Sequence, residues 1–292
     1  MDRTAPNHLN EFDEPLVKVF VALEPADWHD YRTESVWAEP LVERAGESRA
    51  LGFGAHVTSR LSSSAWGSAW ALMPYFFATN VAGRVAIVGD DARHLARSLR
   101  ARVGEEIEVI DPAGMLLTVR LDNVRVDRVE GAVVAERAHH PESVARISIG
   151  ISNLPASALE LVLSRCTEVG ASSFVVIQAD RSVARGAKIE RWRTICREAS
   201  MLAGRLVVPE VTGPVSLAEA VRSSSSPVML ARGAPSLAAM SKPRDVTLLI
   251  GPEGGWSERE LGLGKLKAGL GPRNLRADTA ALVGLAVALA TR

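Results

Sequence analysis

Cysteine is scarce: Cys166 and Cys196 are the only two in a chain of 292 residues, which excludes a disulfide framework and a CxxC metal site. A reducing, cytoplasmic compartment is therefore expected. No apolar run reaches the roughly 20 residues of a membrane span, so no membrane partner is expected. The acidic N-terminus also lacks the basic and apolar regions of a signal peptide. Neither the GxGxxG spacing of a dinucleotide fold nor the GxxxxGK[ST] of a phosphate loop occurs. Net charge is absent too, at a formal +0, but it is unevenly spread: residues 1–72 hold 11 acidic and 6 basic side chains, leaving 28 basic against 23 acidic beyond. A mildly basic body permits an anionic partner without demanding one. With 47% hydrophobic and 23% charged residues, the chain reads as globular with room for two ordinary domains.

The most informative stretch present is "LLIGPEGGWSERE", residues 248–260. Val246, Thr247, Leu248, Leu249 and Ile250 form a short apolar run suited to a strand buried on both faces of a parallel sheet. Gly251, Gly254 and Gly255 let a ligand approach the main chain, and Pro252 stiffens the turn. Ser257 and Glu260 have capping-box spacing for a following helix. Strand, tight loop and helix start make the usual ligand crevice of an α/β sheet. Glu253 would repel a polyanion, so a neutral or cationic ligand suits the loop better than a nucleotide phosphate. A plain strand-to-helix turn is the alternative.

The chain falls into three parts. Residues 1–72 hold Trp28, Trp37, Trp66 and Trp70 and end in the tether-like "SRLSSSAWGSAWAL". They are expected to be an N-terminal extension, disordered or foreign to the native chain, with Met73 as a candidate native start. Residues 73–142 alternate short β segments with glycines, predicting a small β-barrel. One helix, residues 90–104, interrupts it and is expected to present Arg93, Arg97 and Arg100 on one face, to RNA phosphates or simply to solvent. His94 beside them has no partner at metal spacing and is a contact or packing residue. Residues 143–292 alternate strands and helices, predicting an α/β domain with a mostly parallel sheet. Its strands are 145–152, 173–179, 206–209, 227–231 and 246–250, and its helices 156–170, 188–204, 257–269 and 278–290. The last helix is apolar nearly all round, so it is buried in the domain or against a second subunit.

From Met73 to Arg292 the sequence resembles the ribosomal RNA small subunit methyltransferase E family of the SPOUT superfamily. The likeness rests on "RHLARSLRARVGEEI", "SRCTEVGASSFVVIQADRSV", "CREASMLAGRLVVPEV", "LLIGPEGGWSERE" and "GPRNLRADTAALVGLAVALA". It implies a PUA-like RNA-binding β-barrel joined to a SPOUT α/β domain with a trefoil knot, an exception to the rule against threaded loops. It implies a homodimer that uses S-adenosylmethionine, without a metal, to methylate N3 of a uridine in 16S rRNA of the small ribosomal subunit. A sulfonium ligand would remove the objection that Glu253 raises.

On that resemblance the cofactor residues are Leu230, Ile250, Gly251, Pro252, Glu253, Gly254, Gly255, Leu275, Arg276 and Thr279. The RNA residues are Arg93, His94, Arg97, Arg100 and Arg205. Arg276 is the catalytic candidate, matching a family arginine that would stabilise charge on the uracil as N3 loses its proton; a salt bridge is the bland alternative. Asp278 stands where glutamate is usual and suits a helix N-terminus. Thr167 and Glu168 match the family's "TELG", with helix-end packing and substrate contact both open. A lysine-bearing segment is replaced by "SNLPASALE", Arg165 stands where lysine is common, and "SMLAGR" lacks a usual Glu-Gln pair. These departures leave open a SPOUT enzyme for another nucleoside and a noncatalytic RNA-binding paralogue.

Removing residues 1–72 is expected to leave a folded dimer. A monomer in analytical ultracentrifugation, or an unfolded chain by circular dichroism, would place that segment in the core.

Overall fold

The computed structural model describes residues 74–241 and 243–291, all within one of the two units into which the chain divides, Trp66–Arg292. The expectations for residues 1–72, and for Met73 as a start, lie outside the described residues.

The first half is a five-stranded sheet of β1 (Phe76–Phe77), β2 (Arg84–Val88), β3 (Glu106–Asp111), β4 (Met115–Val124) and β5 (Arg128–Ala138). Spatial order is β1-β3-β4-β5-β2, antiparallel except where β1 runs parallel to β3. β2 alternates exposed and buried residues, as a strand with one solvated face must. Register shifts between β4 and β5 at Thr118/Val119 and Leu121/Asn123 bend the sheet. At Gly131 a Cβ would stand 2.5 Å from the Arg120 carbonyl oxygen, so only glycine admits so close a crossing. Phe76, Leu95, Val109, Leu117 and Val129 fill this core together with Met201 from the second half.

The helix expected over 90–104 is shorter and changes pitch. α1 (Gly89–Arg93) passes into a π-helical turn, His94–Ser98, with Leu99 N–H donating to the His94 carbonyl and Ala101 N–H to that of Leu95. That wide closure places Arg100 in the left-handed region at φ 54°. Arg100 therefore lies beyond the helix and does not share a face with Arg93 and Arg97.

The second half is a six-stranded, all-parallel sheet: β6 (Arg146–Ser152), β7 (Ser173–Gln178), β8 (Glu210–Ser216), β9 (Pro227–Leu230), β10 (Asp245–Ile250) and β11 (Leu266–Ala268). Its order is β11-β9-β10-β6-β7-β8. β10 pairs with β6 from Asp245↔Arg146 to Ile250↔Ile151, and Val246 through Ile250 are buried, as their unbroken apolar run predicts. Helices α2 (Ala156–Val169), α3 (Ile189–Leu202), α4 (Leu217–Ser223), α5 (Glu258–Leu261) and α6 (Ala277–Ala290) complete it. Leu159, Val162, Leu163 and Cys166 of α2 share one core with Ala281, Leu285 and Ala288 of α6. Among the described residues no helix is long and apolar enough to cross a membrane.

In this half, two expected elements are displaced or cut short. The strand expected at 206–209 lies instead at 210–216, where Gly213-Pro214 is a cis peptide bond. The strand tolerates this glycine because a Cβ there would fall 2.3 Å from the Val176 carbonyl oxygen. The helix expected over 257–269 stops after one turn at Gly262, and residues 266–268 return as β11 beside β9. Two glycines, Gly262 and Gly264, remove helix propensity there, and an edge strand pairs instead.

Arg205 also departs from its expected place on an RNA surface. It is 5% exposed, donating to the carbonyls of Thr167 (3.0 Å) and Ala171 (2.8 Å) and to both carboxylate oxygens of Glu142 (3.2 and 2.7 Å). It thereby pins the linker between the two sheets to the end of α2. Arg205→Ala is expected to destabilise the fold by about 3 kcal/mol in urea titration, because it strips a carboxylate and two carbonyls of their partner. Unchanged stability would return Arg205 to a surface role.

Candidate active site

The loops leaving the C-terminal ends of β9 and β10 enclose, with residues 270–277, a cavity of about 460 Å3. This is where open α/β sheets bind ligands. Gly255 N–H closes a turn onto the Pro252 carbonyl at 2.8 Å, and Gly255 adopts φ 70°, a conformation costly for any other residue. Trp256 then turns inward: it is 7% exposed, and its Nε1 donates to the Leu230 carbonyl at 3.2 Å. Its ring lies 3.0 Å from where a Cβ on Gly251 would stand. Ser257 caps α5 through the expected box, accepting from Glu260 N–H at 3.2 Å while its own N–H donates to Glu260 at 2.9 Å.

Seven of the ten expected cofactor residues line this cavity: Leu230, Ile250, Gly251, Pro252, Glu253, Gly255 and Leu275. Gly254 is not among its lining residues; its carbonyl accepts from Arg181 at 2.7 Å. Arg276 and Thr279 also lie off the walls. Arg276 is the N-cap residue of α6, with its side chain 75% exposed and Nε 3.8 Å from Asp278. Thr279 donates its N–H and hydroxyl to Asp278. Asp278 sits in the first turn of α6, where the helix dipole favours an acid.

Sequence reasoning missed Arg232, Trp256, Leu270, Arg273 and Asn274 on the walls. Arg232 donates to the Asn274 side chain at 3.0 Å, joining the loop after β9 to the one before α6. Trp256 adjoins the glycine motif, and Arg273 and Asn274 belong to the quoted segment 271–290, but strand order is what places them on the walls. The walls thus combine main chain and aliphatic side chains with the charges of Glu253, Arg232 and Arg273. They suit a ligand with a flat apolar body and charges of both signs.

A second groove of about 750 Å3 runs between the α1 turn and α3. Arg93, His94 and Arg97 line it with Arg197, Glu198 and Met201. Arg93 is paired with Asp90, and Arg197 with Asp91 while lying over the Phe77 ring at 5.1 Å. Arg97 is exposed and makes no ion pair among the described residues. Arg100 and Arg205 do not line the groove.

The family model for the RNA methyltransferase domain matches residues 140–289. The ribosomal RNA small subunit methyltransferase E of Mycobacterium tuberculosis is 31% identical over 225 residues, covering 70% of this chain and 85% of that protein. The chain belongs to this family. The Bacillus subtilis member is 28% identical over 224 residues, with 68% and 87% covered. The crystal structure of the Neisseria gonorrhoeae ribosomal RNA small subunit methyltransferase E bound to S-adenosyl methionine matches with a TM-score of 0.67 at 27% identity, covering 73% of this chain and 95% of that one.

The family match takes in every loop around the cavity. Of the other residues compared with the family, Thr167 is buried at the end of α2, and Glu168 is held by Arg165 and Ser164. Thr167 thus lies inside the packed helix end, whereas Glu168 is half-buried and ion-paired with the exposed Arg165. Burial pushes the Cys166 thiol to about 12 and Cys196 to about 11, so neither is a nucleophile near neutrality.

Proposed function

We propose that this protein transfers a methyl group from S-adenosylmethionine to N3 of a uridine in 16S rRNA of the small ribosomal subunit. The observation that carries the reading is the cavity closed by the main-chain loops after β9 and β10, inside a domain of RNA methyltransferase type. Its residues fit the cofactor. Leu230, Ile250 and Leu270 offer apolar contact to an adenine, the turns at 251–255 offer backbone groups, and Glu253 suits a cation. The reading includes a trefoil knot in the α/β half, a PUA-like role for the five-stranded sheet and a cytoplasmic location. It also includes a homodimer that covers the apolar outer side of α6, where Leu282, Val283 and Leu289 remain partly exposed.

When bound, the cofactor supplies an electrophilic methyl carbon. The chain's own work is to align the uracil, exclude water and stabilise the negative charge left as N3 loses its proton. Arg276 is assigned the last task, since its guanidinium is exposed at the start of α6 beside the cavity residue Leu275. Arg97, without a carboxylate partner among the described residues, is assigned to the RNA backbone, with Arg93 and His94 beside it.

Gly255→Val is expected to abolish cofactor binding by calorimetry, because a β-branched residue resists φ 70°. Unchanged affinity would take the loop out of the site.

Small subunits from a strain lacking this protein should accept labelled methyl at uridine N3, mapped by mass spectrometry. Arg276→Ala should lower kcat about 100-fold with little change in cofactor affinity, as for a group acting on charge that develops only during reaction. A protein that binds cofactor yet leaves these subunits unmethylated would discard the N3-uridine assignment.

A further inference from the structure

The loop over the cavity has two sides, and only one faces the ligand space. Residues 251, 252, 253, 255 and 256 line the cavity; Gly254 does not. Behind Gly254 lies Arg181, from the segment that follows β7, some 70 residues earlier in the chain. Its Nη1 donates to the Gly254 carbonyl at 2.7 Å and reaches the Trp256 carbonyl at 3.4 Å. Its stem carbons Cδ and Cβ stand 3.5 and 3.6 Å from where a Cβ on Gly254 would be, so the side chain lies along the loop. The preceding residue reinforces the contact. The Asp180 carboxylate accepts from Ser257 Oγ and from Arg259, and Asp180 N–H donates at 2.9 Å to Glu260, which is 1% exposed. Arg259 and Ser257 hold the Asp180 carboxyl below the usual carboxylate range, as expected of a group fixed in its ionised form.

We propose that Arg181 is a positioning residue for the cofactor loop, gripping the Gly254 and Trp256 carbonyls from outside while Asp180 anchors the helix start that follows. The proposal rests on the cavity being the cofactor site. A segment with three glycines in five residues, 251–255, has much conformational freedom to lose when a ligand orders it. Holding it from behind lets that ordering occur on folding instead of on binding, and a preorganised loop binds more tightly. Arginine suits the task because its planar guanidinium fixes the direction of the two N–H bonds on Nη1, whereas a lysine ammonium is a point charge on a flexible stem. Arg181 does not line the cavity, so its effect should fall on cofactor affinity and leave the chemical step alone.

The test combines hydrogen exchange in the cofactor-free protein with calorimetric titration of S-adenosylmethionine and steady-state kinetics. Arg181→Ala should speed amide exchange in the peptide covering 251–257 and leave the strands of both sheets as in wild type. Its Kd and KM for cofactor should rise about tenfold, a change of about 1.4 kcal/mol, while kcat at saturating cofactor stays within about twofold. Arg181→Lys should recover part of the affinity, which also guards against an alanine variant that fails to fold. Loop exchange and affinity equal to wild type would overturn the proposal, and so would exchange accelerated throughout the chain. If wild type binds no S-adenosylmethionine but Arg181→Ala still loosens only this loop, the cofactor reading fails and the positioning role stands.

Discussion

The site depends on one tryptophan packed over one glycine. Gly251 leaves room for Trp256 to turn inward; a methyl group there would crowd the indole at 3.0 Å and force it to shift by a few tenths of an ångström. Once seated, the indole N–H binds the Leu230 carbonyl and ties the end of β9 to the loop after β10. A buried indole N–H needs such an acceptor, so the hydrogen bond and the burial enforce each other. The same inward turn brings Ser257 to its capping position, and α5 starts where Glu260 can reach Asp180 N–H. Cavity wall, helix cap and outside brace thus follow from one packing event.

The parallel sheet explains why that event produces a site. All six strands run the same way, so the loops at their C-terminal ends gather along one edge. β10 is bonded along its length to β6 and also to β9, which makes the loop it launches start from a fixed point. The cavity lies beside that strand, outside the carboxyl ends where successive connections diverge. Its polar walls combine the main chain of the 251–255 turns with the side chains of Arg232, Glu253, Arg273 and Asn274.

This division governs what the sequence discloses. Strands β6, β7 and β10 and helices α2, α3 and α6 were legible because their apolar periodicity is long and uninterrupted. β8 was misplaced by several residues: it runs through Gly213 and Pro214, which disfavour a strand, and the missing Cβ of Gly213 lets it cross Val176 closely. β11, a three-residue edge strand between glycines, has too little pattern to outweigh the helical look of its flanks. On the site, the residues adjoining the glycine motif were readable as a contiguous run. The contributions of Arg232, Arg273 and Asn274 were not, since the placement of β9 between β11 and β10 is what brings their loops together.

The arginines show the limit most clearly. Arg205, Arg181, Arg97 and Arg276 are one residue type, yet their surroundings give them different work. Arg205 is sunk among two carbonyls and a carboxylate, where its charge serves the fold. Arg181 commits its Nη1 to loop carbonyls. Arg93 and Arg197 are matched by Asp90 and Asp91, leaving Arg97 as the guanidinium of its groove without a carboxylate partner among the described residues. A single uncommitted cation attracts phosphate only weakly once screened by salt. Charge alone therefore gives this groove little power to discriminate among polyanions, and any selectivity has to come from the shape of its walls.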